Sequence, residues 1–144
     1  MQSPSFVIGA LDGNHLNFKV FGYESPLENK GHDANWLSVE LSVAAGCWTG
    51  RVRNAFLTTQ EVHILRERLD DLLKDKVTEL SFEPMEPHVV LKLVKDGNHI
   101  EASGVAFDNP EGVNAIAFNW MVDNKQLKSL QGQLREVESA FPVR

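Results

Sequence analysis

The sequence predicts an α+β fold: a curved, mainly antiparallel β-sheet or β-sandwich with two covering α-helices. Short alternating apolar segments recur along the chain, separated by Gly, Asn and Pro turns. Two longer stretches switch to the 3.6-residue spacing of an amphipathic helix. Each follows directly on a strand-like run, one ending in Phe56-Leu57 and the other in Trp120-Met121. Strands with one apolar face, sealed by helices with one apolar stripe, satisfy both periodicities.

Phe6, Ile8 and Ala10 alternate ahead of Asp12-Gly13-Asn14, a natural hairpin bend, and Leu16, Phe18 and Val20 continue the alternation beyond it. Pro26, Asn29 and Gly31 mark a surface loop. From Trp36 onward, Leu37, Val39, Leu41 and Val43 oppose Ser38, Glu40 and Ser42, which is a strand buried on one face. Gly46 permits a bend or bulge before the run through Trp48 and Val52 to Leu57.

Thr58 is placed to cap the first helix, with Glu61 three residues on to complete a capping box. Val62, Leu65, Leu69, Leu72 and Leu73 then share one stripe, while Arg66, Glu67, Asp70, Asp71 and Lys74 belong mainly to the wetter side. Residues 77–82 and 89–94 read as strands around a turn at Pro84 and Pro87. Asp96-Gly97-Asn98 signals a hairpin into a strand over 100–107, and Asn109-Pro110-Glu111-Gly112 a turn into a strand over 113–121. Asp123 caps the final helix with Gln126 three residues later. Its seam is Leu127, Leu130, Leu134, Val137 and Phe141; Gly132 lies off the seam, and Pro142 ends the pattern. The two strand-then-helix units are compatible with an internal duplication or with repeated use of one packing solution.

A chain of 144 residues can build one complete hydrophobic core but hardly two, and no linker interrupts it, so residues 1–144 read as a single domain. Twenty acids against fourteen bases give a net charge of -6, which opposes non-specific binding to nucleic acid or anionic lipid. The same charge would suit a basic protein partner. Met1-Gln2-Ser3-Pro4 lacks the features of a signal peptide, and no apolar run approaches a membrane span. A cytoplasmic location is expected. The single cysteine, Cys47, cannot form an intrachain disulfide; its apolar neighbours suggest a small packed side chain.

Chemical signatures are sparse. His15, His32, His63, His88 and His99 form no compact metal-ligand motif, and His32-Asp33 reads as a chance polar pair. His63 lies beside the helix stripe as a partly packed or surface residue. Glu24, Asp33 and Glu40 could divide acid and base roles only if the fold brought them together. An enzyme would need a concave site with a histidine and carboxylates in hydrogen-bond reach. No phosphate cradle surrounds Gly46 or Gly50. Arg51 and Arg53 share a strand face and, with Trp36 or Trp48, form at most a weak RNA footprint. The expectation is a non-enzymatic binding protein that needs no cofactor.

The segment before Trp36 offers the best recognition surface. Asp33 and Asn35 can organise the strand entry through local backbone hydrogen bonds, with Trp36 as a core anchor. Tyr23, Glu24, Glu28 and Asp33 could instead present an acidic and aromatic edge to a partner rich in Arg or Lys.

At Phe21-Gly22-Tyr23-Glu24 and Asp33-Ala34-Asn35-Trp36-Leu37 the chain resembles the WapI family of bacterial immunity proteins. Leu57-Thr58-Thr59-Gln60-Glu61, Phe82-Glu83-Pro84 and the closing strand and helix over 118–134 fit the same pattern. The resemblance implies non-enzymatic protection, in which the protein binds the toxic C-terminal domain of a cognate contact-dependent toxin and blocks it. It does not identify the toxin, and it carries over no contact residues. The alternative is a small-ligand-binding or scaffold protein using a concave sheet face, which a large apolar cavity would favour.

Overall fold

The computed structural model describes residues 3–28, 30–31 and 33–144. Strands β1 (Ser5–Gly9), β2 (His15–Tyr23), β3 (Trp36–Ala45) and β4 (Trp48–Thr58) form an antiparallel meander, and helix α1 (Thr59–Leu73) follows without a break. Strands β5 (Glu79–Phe82), β6 (Val89–Asp96), β7 (His99–Phe107) and β8 (Ala115–Val122) form a second meander, followed by α2 (Asn124–Ala140). The expected α+β class is therefore built as one plan used twice, a four-stranded open sheet and then a helix.

Both helix starts follow the capping chemistry predicted from sequence. Thr58 and Asp123 each accept from the backbone of the residue three positions on, Glu61 and Gln126, whose side chains return a bond to the cap backbone. Leu65, Leu69, Leu130 and Leu134 are at most 1% exposed, so the leucine stripes do seal the sheets. The inward residues of both sheets and both helices join one apolar cluster, with Leu73 and Phe141 at its margin. Each helix crosses to the other half: α2 lies against β1 and α1 against β5, while the helices also pack on each other. At β1 the cover includes a hydrogen bond from the Val7 backbone N–H to Gln133 Oε1, 2.9 Å, which occupies a donor on an edge strand. Buried His88 ties the sheets together. Its Nδ1 lies 3.2 Å from the Phe107 carbonyl, its Nε2 lies 3.5 Å from Asn54 Nδ2, and its ring stands against Phe56.

Two bulges adjust which side chains face inward. Between Leu37 and Ser38 the register passes from Leu57 to Ala55, so β4 carries Phe56 as an extra residue and buries Phe56 and Leu57 together. Between Val20 and Gly22 the extra residue is Phe21, which reverses the facing of everything after it. Tyr23 then pairs with inward-facing Leu37 and packs at the edge of the core.

Several expectations need correction. Cys47 is exposed, because Gly46-Cys47 is a two-residue hairpin connection, closed by the Ala45–Trp48 pair, that projects past the core. Of the bend or bulge expected at Gly46, the structure has the bend, with φ +61°. Arg66 and Asp70 are not on a wet face: their side chains are 20% and 14% exposed, caught between the two helices. The strand expected from Val77 begins at Glu79, and Val77 is exposed. Trp36 is half-buried, and the buried anchor at that strand entry is its neighbour Asn35, 1% exposed. Among the described residues no helix is long and apolar enough to cross a membrane.

Candidate functional site

The connection from β2 to β3 carries the three acidic candidates. Glu24, Glu28 and Asp33 are all exposed, and among the described residues none of them forms an ion pair. Leu27, between the first two, is 98% exposed, an apolar side chain left to solvent among the described residues. Asn29 and His32, read from sequence as loop and polar-pair residues, lie outside the described residues.

Tyr23 is placed differently from these acids. The bulge turns it toward the core, where its ring meets Phe141 edge-on at 5.5 Å and its hydroxyl donates to the Pro142 carbonyl at 2.5 Å. The Arg144 guanidinium lies 3.6 Å from the ring centroid. Burial raises the Tyr23 pKa, with the Arg144 charge opposing it. One ring face and the hydroxyl are thus occupied within the chain, at the base of the acidic loop. Gly22 inside an alternating run was the available signal, since an isolated strand glycine often marks a bulge.

The segment after α2 binds this loop from below. Arg144 donates from Nη2 to the carbonyls of Ser25 and Ala34 at 3.0 and 2.8 Å, from Nε to Ala34 at 3.2 Å and from Nη1 to Pro26 at 3.3 Å. Asn35 Oδ1 accepts from the Arg144 backbone N–H at 2.8 Å and from Thr59 Oγ1 at 2.6 Å. Asn35 Nδ2 donates to the carbonyls of Arg144 and Gly31 at 2.9 and 2.8 Å. Sequence reasoning gave Asn35 a local role only and missed Thr59 and Arg144, because the partners are remote in the chain.

A second polar cluster joins the helices. Arg66 donates from Nε to Glu138 Oε1 at 2.8 Å and from Nη1 to Asp70 Oδ2 at 2.7 Å, and Gln131 Nε2 donates to Asp70 Oδ1 at 2.6 Å. His63 places Nδ1 2.8 Å from Glu138 and Nε2 2.9 Å from Glu67. Burial alone would raise the Asp70 pKa, but bonds from Gln131 and Arg66 and the charges of Arg66 and Arg135 hold it below the usual carboxylate value. Glu138 is likewise pushed up by burial and brought net down by Arg66 and His63. Hydrogen bonds to Glu138 and Asp70 raise the Arg66 pKa further still. Here a histidine does lie within reach of carboxylates beside a hollow of about 230 Å³, lined by Thr59, His63, Glu138, Phe141, Pro142 and Val143. Both ring nitrogens lie within hydrogen-bond distance of carboxylates, one on each helix. The cluster acts as a clasp between helices.

Other surfaces carry less. Arg53 stacks 3.7 Å from the Phe21 ring centroid and Arg51 reaches Glu40 at 3.9 Å, while Trp36 and Trp48 sit at opposite ends of the β3–β4 pair. The arginines and both tryptophans thus form no shared stacking platform for RNA. The most apolar groove, between β4 and the β7–β8 end, holds about 200 Å³ and is lined by residues including Leu41, Val43, Val52, Ala106 and Ile116. That is below the roughly 300–1,000 Å³ usual for a small-molecule site. Among the described residues no group of three or more His, Cys, Asp or Glu side chains could hold a metal ion.

Fold and surface together define an α+β protein of two meander-and-helix units whose β2–β3 connection presents exposed Glu24, Glu28 and Asp33. The chain belongs to the immunity protein WapI-like family, whose model matches residues 7–142. No curated protein matches it.

Proposed function

We propose that this chain is a non-enzymatic immunity protein that binds the C-terminal toxic domain of a cognate bacterial toxin in the cytoplasm and blocks it by steric occlusion. The observation that carries this reading is family membership across nearly the whole chain. The loop geometry supports a binding mode: Glu24, Glu28 and Asp33 offer exposed carboxylates, and Leu27 offers an exposed apolar contact beside them. Tyr23 contributes from beneath by fixing the loop base. A basic face on the toxin would be drawn to this edge in a chain of net charge -6, and charge complementarity would speed encounter as well as select the partner. Residues 1–144 are read as one unit, since both sheets and both helices contribute to one apolar cluster. No cofactor enters the mechanism.

Co-expression with the toxic domain of a large secreted toxin encoded immediately upstream tests the reading. Survival together with a stable complex is expected. A folded chain that neither protects nor binds contradicts the assignment for that pair.

A further inference from the structure

We infer that Arg144 is a positioning residue that pre-organises the two ends of the acidic β2–β3 connection, Ser25–Pro26 and Ala34, for its macromolecular partner. This inference rests on the toxin-binding reading above. The connection holds few bonds of its own among its described residues: Glu28 N–H donates to the Ser25 carbonyl, Asn35 Nδ2 to the Gly31 carbonyl, Asp33–Asn35 form one short 3-10 turn, and Glu24 N–H donates to Trp36 just beyond it. Beyond that backbone bond, one side chain also joins its two ends. The Arg144 guanidinium takes the carbonyls of Ser25 and Pro26 at the entry and of Ala34 at the exit.

Three features make this a clamp rather than an incidental contact. The planar guanidinium lays one face 3.6 Å from the Tyr23 ring centroid while its edge donates to carbonyls, a geometry a lysine ammonium cannot reproduce. The backbone of residue 144 is itself fixed by Asn35, which is buried and held in turn by Thr59 at the start of α1. The cation also spends its donors on neutral carbonyls, so it holds both ends of the connection without an ion pair to Glu24, Glu28 or Asp33. A loop already fixed in its bound shape loses less conformational entropy on association, which tightens binding without a new contact.

The test uses the full chain with Arg144→Met, which keeps length and apolar bulk but removes the donors. Amide hydrogen exchange of the free protein is read first. At least tenfold faster exchange at Glu24 and Glu28 is expected, with core amides of β2 and β3 unchanged as the control for folding. Tyr23→Phe, which removes only the bond to Pro142, should move the same amides by a smaller factor. Affinity for the toxic domain should then fall at least tenfold in Arg144→Met, with Arg144→Lys restoring little of it. Unchanged loop exchange would overturn the clamp without reference to any toxin. Faster loop exchange with unchanged affinity would overturn the pre-organising role while leaving the immunity reading intact. Absence of binding by the wild-type chain would bring down the toxin-binding reading, and this inference with it.

Discussion

Arg66 of α1 and Glu138 of α2 are joined at 2.8 Å across the helix pair, and both side chains are about four-fifths buried. Partial burial makes the pair stronger than a surface ion pair, and its loss leaves Arg66 short of a partner. Glu138→Gln should lower unfolding stability at pH 7 by about 1–2 kcal/mol, measured by urea titration.

The same cluster sets a direction with pH. Asp70 and Glu138 both have folded pKa values below their ordinary ones, so their contribution is present above the unfolded carboxylate range of about 4. It is lost as pH falls through that range toward the folded values. Urea midpoints measured from pH 7 down to pH 3 should therefore decline, and the decline should be shallower in Glu138→Gln. Parallel profiles would remove this cluster as the cause.

Leu65 and Leu134 are fully packed members of the common core. Replacing either by Ala should cost about 2–5 kcal/mol, from lost burial together with the cavity left behind. Equilibrium denaturation followed by both far-UV circular dichroism and tryptophan fluorescence checks the magnitude. Coincident transitions are also expected, since the two halves share that core; separated transitions would mean two independent units.

Gly9 occupies φ +114°, and a Cβ there would fall 2.2 Å from the Asn14 carbonyl oxygen, with Trp120 Nε1 at 3.0 Å. Gly9→Ala should therefore destabilise by more than about 1 kcal/mol. Gly132→Ala makes the contrast, because nothing lies near its Cβ position on α2, and it should stabilise by up to about 1 kcal/mol. Thermal melts of the two variants should move in opposite directions.

Local patterns carried most of the fold. The capping boxes at Thr58 and Asp123, the alternation of Leu37 to Val43 and the leucine seams all repeat within one or two turns, and each forms as read. What stayed hidden depends on contacts between distant residues or on a single inserted one. Asn35 meets Thr59 across 24 positions and Arg144 across 109, leaving no spacing to detect. Arg66 and Asp70 looked solvated because helical periodicity describes one helix, while their partners Glu138 and Gln131 belong to another. The bulge at Phe21 turned Tyr23 toward the core, while the neighbouring Glu24, Glu28 and Asp33 are exposed.

The most direct test of the account is a binding titration of the toxic domain against wild type and a Glu24→Lys, Glu28→Lys, Asp33→Lys triple variant at low and moderate salt. Affinity should fall at least tenfold on reversal, mainly through slower association, and the wild-type complex should weaken as salt rises. Equal affinity and equal salt dependence in the two proteins would contradict the acidic loop as the toxin-facing surface.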